Sequence, residues 1–294
     1  MKDFLKNYNL LPAPMEGVMR PAVMEVCCLL ELSKVWVTPF FRVSETVPKN
    51  KELKRFLAPF MPEKNRVILQ IMGNDPAKLA ETARRGLEVG ACGTDLNCGC
   101  PSHQVVRHGA GAAAMRSYQQ TAEILAAVRQ AVGGSFLSVK TRLGFAEVSE
   151  AETFLPLWES AGAVDLFTLH YRTAAEGYRS VPGREERLKN IRKLIKNALV
   201  FGNGNIASAA EAENLCLECG LDGGMIGRNF WRNPFILKDP ALPPESGRKI
   251  LWTELSKLAY GEKHWAHGSA IEMASLILGA DSPEANELKN NFRH

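Results

Sequence analysis

The residues best suited to chemistry in this sequence surround a cysteine at position 100. The stretch Gly93–Ser102 predicts a short apolar strand that ends at Asn97, followed by a turn in which Cys100 stands between Gly99 and Pro101. Glycine lets the backbone bend sharply, and proline fixes φ and removes a donor. We therefore expect the thiol to be held at a strand end. A buried structural cysteine is the alternative, since free cysteine is among the most buried residue types.

Two glycine-rich turns later in the chain have the composition of a phosphate site. They are Gly202-Asn203-Gly204-Asn205 and Gly227-Arg228-Asn229, and each follows a short β-rich stretch. Such turns expose backbone N–H groups, the helices that follow add positive dipole ends, and Arg228 would supply a charge-assisted contact. The pattern predicts a seat for one phosphate group. Two ordinary connecting turns are the alternative.

Cations and a histidine are predicted at two further strand ends. Lys140 lies in the apolar stretch 136–142, where a charged side chain is costly unless it faces a polar ligand. Because side chains alternate between the faces of a strand, Lys140 shares a face with Arg142, and His170 shares a face with Arg172. Together with a phosphate seat, these residues suit a planar cofactor that becomes anionic. Flavin mononucleotide (FMN) fits that description.

The elements that must position these residues alternate between β-rich and helical patterns, which is typical of a parallel sheet. Eight such units in roughly 230 residues favour a (β/α)8 TIM barrel, whose usual size is about 250 residues. A doubly wound open sheet is disfavoured because no Gly-x-Gly-x-x-Gly turn follows the first strand. The predicted strands are Leu10–Met15, Val35–Phe40, Arg66–Met72, Gly93–Asn97, Phe136–Arg142, Val164–His170, Leu199–Gly202 and Gly223–Gly227.

Capping signals predict where the helices begin and end. Asp75-Pro76 begins one that Gly90 closes, Gln120–Val132 is a second, and Ser208 with Glu211 begins a third that ends at Gly220. After residue 238 the strands stop and only helical patterns follow. We expect a barrel domain at 1–238 and a small all-helical domain at 239–294.

Composition sets the remaining bounds. Hydrophobic content of 46% and charged content of 23% are ordinary for a globular protein, and no apolar stretch approaches the ~18–20 residues that cross a bilayer. The N-terminal residues lack a secretory signal pattern, so a cytoplasmic protein is expected, and we expect a monomer. The seven cysteines then stay as thiols. Cys216-x-x-Cys219 has no second pair, so no metal site is predicted.

These motifs resemble those of one family, the tRNA-dihydrouridine synthases. They occur in the family's order and span about 215 residues, and the Asn-x-Gly-Cys-Pro turn joined to Lys-x-Arg-x-Gly is the most specific part. The matching stretches are Ala13–Val18, Leu69–Ile71, Asp95–Ser102, Val139–Gly144, Leu169–Thr173, Gly202–Ile206 and Met225–Arg228.

The resemblance implies a flavin-binding barrel and a helical domain that grips tRNA. Members reduce the C5–C6 bond of D-loop uridines, with NADPH as the usual reductant, and the Pro-Met-Glu-Gly start leans toward the subgroup that modifies position 16. The implied FMN-binding residues are Pro14, Met15 and Glu16 at the flavin edge, Gln70, Lys140 and His170 at its ring, and Asn203, Gly204, Asn205, Gly227 and Arg228 at its phosphate.

The resemblance also implies how the uracil is reduced. Hydride passes from N5 of the flavin to C6, and Cys100 donates the proton that C5 receives from the opposite side. A thiol with a pKa near ~8.5 is protonated at neutral pH, as a proton donor must be. Cys98 is not at the family's donor position. Asn97 and Arg142 are expected to orient the uracil.

A basic rim would be needed to hold a folded RNA from which one base is extruded. Arg172, Tyr178 and Arg179 after the sixth strand, and Arg42 after the second, are the expected tRNA contacts; ordinary surface positions are the alternative. The stretch 172–196 is rich in Lys and Arg. Such a surplus either follows a phosphate backbone or forms a solvated face with intrahelical ion pairs.

Two other functions fit part of this pattern. A flavin barrel that acts on a small molecule, such as an enzyme similar to dihydroorotate dehydrogenase, would keep the phosphate seat and Lys140 but would not need a basic rim or a helical domain. A non-catalytic RNA-binding protein on a decayed barrel would not need Cys100, Lys140 and His170 intact.

Overall fold

The computed structural model describes residues 1–261 and 267–291 of the 294-residue chain. Nine parallel strands lie in this part of the chain. They are β1 Leu10–Pro12, β2 Val35–Val37, β3 Phe41–Arg42, β4 Arg66–Met72, β5 Gly93–Cys98, β6 Phe136–Arg142, β7 Leu166–His170, β8 Leu199–Asn203 and β9 Gly223–Ile226.

The sheet is rolled into a barrel. Its hydrogen-bonded order is β1-β9-β8-β7-β6-β5-β4-β2, all pairs are parallel, and β2 returns beside β1. The short β3 lies off this path and pairs with the end of β4. The predicted (β/α)8 barrel is therefore confirmed, nearly closed and with one small additional strand.

Helices connect the strands on the outside of the barrel. None of those in the described ranges is long and apolar enough to cross a membrane. They are α1 Lys2–Asn7, α2 Pro21–Leu29, α3 Asn50–Leu57, α4 Pro76–Glu88, α5 His103–Arg107, α6 Tyr118–Val132, α7 Ala151–Gly162, α8 Arg184–Arg192, α9 Ala209–Cys219, α10 Arg228–Arg232, α11 Pro244–Gly261, α12 His267–Leu278 and α13 Pro283–Asn291.

The capping signals act as predicted. The Asp75 carboxylate accepts from the Lys78 N–H at 3.0 Å at the start of α4, and the Ser208 hydroxyl accepts from the Glu211 N–H at 3.0 Å at the start of α9. Gly220 ends α9 at φ 67°, in the left-handed region. These local signals fix where the helices begin and end.

Two layers of apolar side chains surround the strands. The strand side chains that point outward pack under the helices, whereas a smaller inward set fills the barrel below its carboxyl end, with Leu5 of α1 among it. Phe136 and Phe201 are the largest side chains of the buried inner set, and Phe201 is fully buried. The barrel is thus packed below the carboxyl ends of its strands and leaves space for a ligand at those carboxyl ends.

Two strands end earlier than predicted. Leu10–Met15 stops at Pro12, because its partner β9 ends at Ile226, and the Ala13 N–H makes the last bond to that partner at 2.7 Å. Val35–Phe40 stops at Val37 although its partner β4 continues to Met72. Thr38 makes the last bond to β4, Pro39 has no N–H to continue the ladder, and pairing with β4 resumes only at β3. The residues beyond these ends form loops instead.

The three C-terminal helices pack in succession, α11 on α2, α12 on α11 and α13 on α12. Leu251 and Leu255 of α11 and Met273 and Ile277 of α12 are buried in the same cluster as the outer barrel layer. Arg20, which precedes α2, donates to the Glu272 carboxylate at 2.5 Å. The 239–294 domain boundary stays a prediction, and residues 262–266 and 292–294 of it lie outside the described residues.

Gly223 tests how tightly β9 fits against its neighbours. A Cβ there would overlap the Asn9 carbonyl oxygen and lie 2.6 Å from Phe201 Cε1. We expect Gly223→Ala to lower the free energy of unfolding by about 1–3 kcal/mol through overpacking, measured by urea denaturation. The control Gly134→Ala, which meets no atom within 4 Å, should leave the stability nearly unchanged. Equal stabilities of the two variants would contradict this packing.

Candidate functional site

A cavity of about 650 Å³ opens at the carboxyl ends of the strands. Its volume lies within the roughly 300–1,000 Å³ usual for small-molecule and cofactor sites. Most of the residues singled out from the sequence line it: Pro14, Met15, Glu16, Gln70, Asn97, Cys100, Lys140, Arg142, His170, Tyr178, Asn203, Gly204, Asn205, Gly227 and Arg228. Arg42, Arg172 and Arg179 are not among its lining residues.

The two neighbouring thiols face opposite ways. Cys100 lies on the cavity wall, whereas Cys98 is 1% exposed and packs in the outer layer under the helices. Burial, with the nearby Asp95 charge, holds the pKa of the Cys98 thiol well above its usual range. Gly111, at φ +59°, lets the following segment approach closely, because a Cβ there would lie 3.1 Å from Cys100 Cβ. The structure therefore assigns the cavity-facing thiol to Cys100.

Asn97 shapes the turn that carries Cys100. Its Oδ1 accepts from the backbone N–H of Gly99 at 3.2 Å and of Cys100 at 3.1 Å. An asparagine side chain that bonds its own backbone two residues on is a common way to fix a turn. Much of the polar capacity of Asn97 is thus used inside the protein.

Arg142 ties two loops together from within the cavity wall. Its Nε donates to the Gly99 carbonyl at 3.0 Å, and its Nη1 donates to the carbonyls of Thr173 at 2.9 Å and Gly177 at 3.1 Å. The side chain is 4% exposed, and Nη2 makes no protein hydrogen bond within the described ranges. These carbonyls satisfy the donors of Nε and Nη1 but do not neutralise the charge of the guanidinium.

Lys140 is the second buried cation. Its Nζ donates to Asn203 Oδ1 at 3.1 Å. Burial and the charge of Arg142 lower the pKa of Lys140 to about 8, although Asp95 and Cys100 act in the opposite direction. A lysine whose ammonium form is disfavoured in this way is suited to bind an anionic group.

His170 is held neutral. Burial, and then the charges of Arg142, Lys140 and two further arginines, keep its pKa well below the usual range. Its Nδ1 lies 3.3 Å from the backbone N–H of Arg172 and accepts from it, which leaves the proton on Nε2. His170 can therefore donate one hydrogen bond into the cavity without adding charge.

The glycine turns form the other end of the cavity. Gly204 has φ +109°, and a Cβ there would lie 2.8 Å from the Tyr171 ring and 3.1 Å from His170 Nε2, so that close approach requires glycine. Asn205, also left-handed at φ 56°, accepts from Arg228 Nη2 at 3.4 Å. Polar groups and an arginine thus converge on the predicted phosphate seat.

The loop that carries Tyr178 is braced on several sides. The Glu176 carboxylate accepts from the Thr173 N–H at 2.8 Å and pairs with Arg187 at 2.9 Å. Tyr178 is 72% exposed and lies with its ring 5.8 Å from the Arg142 guanidinium. An exposed aromatic ring on a fixed loop at the cavity mouth suits stacking on a base.

Arg172 was expected at the RNA-binding rim, and that expectation is wrong for its side chain. It is 2% exposed, stacks over the Tyr171 ring and donates from Nε to the Arg179 carbonyl at 2.6 Å. Burial prevents its guanidinium from contacting RNA in this conformation. Arg179 and Arg42 are exposed, as an RNA contact requires.

Three arginines of the basic surplus between 172 and 196, Arg184, Arg187 and Arg192, pair with carboxylates. Arg184 pairs with Glu185 and Glu211, and Arg192 lies 3.5 Å from the Asp222 carboxylate. Most of these partners lie outside α8, so the ion pairs connect elements rather than running along one helix. These arginines are therefore ion-paired, but between elements and not within one helix as the alternative had it.

Several cavity residues were not anticipated from the sequence. Arg232 stands four residues after Arg228, a helical spacing that could have indicated a second cation. Pro39 and Phe40 also line the cavity, but no local pattern distinguishes them. Tyr171 lies behind the wall, stacked on His170 with ring centroids 5.7 Å apart.

Comparison of this sequence with known proteins shows which family it matches. Residues 11–266 match the model of a family described as dihydrouridine synthase (Dus). The chain is 32% identical to a tRNA-dihydrouridine(16) synthase of Haemophilus influenzae, over 96% of this chain and 94% of that protein. It is 31% identical to a tRNA-dihydrouridine(16) synthase of Escherichia coli K12, over 97% and 93%.

Solved structures share the fold at low identity. An old yellow enzyme from Trypanosoma cruzi matches with a TM-score of 0.57 and 10% identity, over 80% of this chain and 89% of that one. A 2-naphthoyl-CoA reductase matches with a TM-score of 0.63 and 14% identity, over 95% of this chain and 55% of that one. At these identities the likeness concerns the barrel alone.

The lowered pKa of Lys140 predicts a cost in stability that a ligand would relieve. Its pKa falls from 10.5 to about 8 on folding, so the wild-type protein should gain stability as the pH rises from 8 to 10.5. At pH 7, Lys140→Met should raise the free energy of unfolding of the ligand-free protein by about 1–3 kcal/mol. The gain should shrink above pH 8, as followed by urea denaturation.

Lys51→Met, at an exposed position of α3, is the matched control and should show no such gain. If Lys140→Met were no more stable than wild type at pH 7, the buried ammonium would not be destabilising.

Proposed function

Because this chain belongs to the dihydrouridine synthase family, we propose that it reduces the C5–C6 bond of a D-loop uridine in tRNA to dihydrouridine. One observation carries the proposal. A thiol, two buried cations and a neutral histidine face the same cavity, at Cys100, Lys140, Arg142 and His170. Reduction of a uracil needs an acid and a site for an anionic electron donor, and these residues provide both.

The residues that line the cavity fit FMN. Among the described residues no carboxylate is in hydrogen-bond contact with Lys140 or Arg142, so this end favours an anionic ring. The Gly204 turn, Asn205 and Arg228 form the opposite end, where a phosphate would sit. A bound reduced flavin supplies the hydride that adds to C6 of the uracil, and we propose NADPH as its reductant.

Cys100 is the proposed proton donor to C5. Its thiol lies on the cavity wall, and the Asn97 side chain fixes its turn through two N–H groups. Because the donor is already held in place, it needs no rearrangement to reach the uracil when the proton is transferred. The electron pair that C5 gains as C6 receives the hydride takes the thiol proton, which completes the reduction.

We propose that Arg142 and Asn97 orient the uracil. Arg142 Nη2 has no protein partner within the described ranges, and Asn97 uses one amide hydrogen on Gln70 and keeps the second. These donors match the carbonyl oxygens of a uracil. A pyrimidine held on its polar edge would present C5 and C6 to the groups that react.

The tRNA is proposed to bind across the cavity mouth and the C-terminal helices. Tyr178, Arg179 and Arg42 are the proposed contacts on the barrel. The helical part lies close to the mouth, since α12 pairs with Arg20 and Arg248 of α11 donates to the carbonyl of Arg232, a cavity residue. We propose that 239–294 recognises tRNA, that position 16 is the target, and that a cytoplasmic monomer suffices.

The activity is tested with tRNA from cells that lack this gene. Purified protein should be yellow, bind FMN, and with NADPH form dihydrouridine at position 16, mapped by mass spectrometry of RNase fragments. Dihydrouridine at another position would overturn the assignment of position 16. Turnover of free orotate-like pyrimidines without turnover of tRNA would support a small-molecule flavoenzyme, and a colourless protein that cannot be reconstituted would contradict flavin binding.

The two thiols give a matched pair of variants. Cys100→Ala should retain FMN and bind tRNA normally, yet lower single-turnover dihydrouridine formation by about 10²-fold or more, because the general acid is lost. Cys98→Ala should stay active, since its sulfur is buried away from the cavity. The opposite pattern would assign proton donation to the wrong thiol.

A further inference from the structure

A continuous chain of hydrogen bonds runs from behind the cavity wall, at Ser138 and Asp95, through the lining residues Gln70 and Asn97 to the turn of Cys100. Ser138 Oγ donates to Asp95 Oδ1 at 2.6 Å, and Gln70 Nε2 donates to Asp95 Oδ2 at 2.8 Å. Asn97 Nδ2 donates to Gln70 Oε1 at 2.9 Å, and Asn97 Oδ1 accepts from the N–H groups of the turn. Three neighbouring strands, β4, β5 and β6, contribute to it. It begins at a buried carboxylate and ends at the proposed proton donor.

The chain has one allowed direction because a carboxylate can only accept. Gln70 must therefore turn its Nε2 toward Asp95 and its Oε1 toward Asn97. Asn97 must then turn Nδ2 toward Gln70, which leaves Oδ1 for the backbone N–H groups. If either amide were reversed, an NH2 group would face another donor, and the turn would lose its acceptor.

We propose that Asp95 is a positioning residue, whose buried carboxylate sets the orientation of the Gln70 and Asn97 amides and thereby holds Cys100 in place. The inference rests on the proposed role of Cys100 as proton donor. Asp95 itself is not among the residues that line the cavity. It acts through Gln70, which is 1% exposed and has no room to turn freely.

A carboxylate at this place is costly for folding alone. Asp95 is 3% exposed, and a buried ion reduces stability unless several partners compensate it. Burial raises the pKa of Asp95 to about 6, while Ser138, Gln70 and the charge of Lys140 act in the opposite direction. The carboxylate is therefore ionised, and acceptor-only, at neutral pH. Packing needs would be met by an uncharged side chain of similar size.

The test measures how fast Cys100 reacts with iodoacetamide, by peptide mass spectrometry on the purified protein at matched flavin content. Asp95→Ala removes the acceptor that orients Gln70 and should make Cys100 alkylation about fivefold faster, which corresponds to about 1 kcal/mol for one lost hydrogen bond. Gln70→Met removes the middle member of the hydrogen-bond chain and should give the same change. This variant tests the proposal even if Asp95→Ala does not fold.

Two matched variants should keep the wild-type rate. Ser138→Ala removes a donor to the carboxylate but leaves its acceptor toward Gln70. Asp95→Asn can still accept from Gln70 when its own amide donates to the Ser138 hydroxyl, so it is the conservative rescue. Cys98 in the same peptides reports any general unfolding, because it is buried.

A wild-type alkylation rate in both Asp95→Ala and Gln70→Met would overturn the proposal and leave Asp95 a structural residue, visible only as a change in thermal stability. The measurement uses neither tRNA nor turnover. If the protein formed no dihydrouridine but alkylation followed the expected order, the positioning role would stand and the proposed function would fail.

Discussion

The rest of the site depends on the hydrogen bonds that the Arg142 guanidinium donates. It reaches from β6 to the carbonyl of Gly99 on one side and to those of Thr173 and Gly177 on the other. The turn of Cys100 and the loop of Tyr178 are therefore held by one side chain. Because carbonyl dipoles rather than a carboxylate satisfy this buried cation, its charge still acts on the whole cavity.

That uncompensated charge organises the titratable groups nearby. Burial and, after it, this charge lower the pKa values of Lys140 and His170. The cavity therefore combines a lysine whose protonated form is disfavoured with a neutral imidazole. A cavity of this kind gains most from a ligand that brings negative charge, and the Gly204 and Arg228 end offers it a second anchor. The positive charge of the site is thus compensated only when an anionic cofactor is bound. A loss of stability of this kind is frequent at functional sites.

Basic residues serve two different purposes in this chain. Arg184, Arg187 and Arg192 pair with carboxylates of other elements and hold the outer layer together. Arg172 is buried against the loop that it supports. Of the residues that the sequence predicted as RNA contacts, Arg42, Tyr178 and Arg179 stay exposed. The ion pair of Arg20 with Glu272 links those helices to the loop after β1.

The sequence by itself determined the barrel, the bounds of β4 and β6, the helix caps, and most of the cavity lining, because period-two alternation and capping are local. It did not determine where β1 and β2 end, which of Cys98 and Cys100 faces the cavity, or that Arg172 is buried. Those outcomes depend on where the hydrogen-bonded ladder to a partner strand stops and which carbonyl a distant loop presents. Only the tertiary structure brings such groups together, because hydrogen bonds between loops produce no periodic pattern in the sequence.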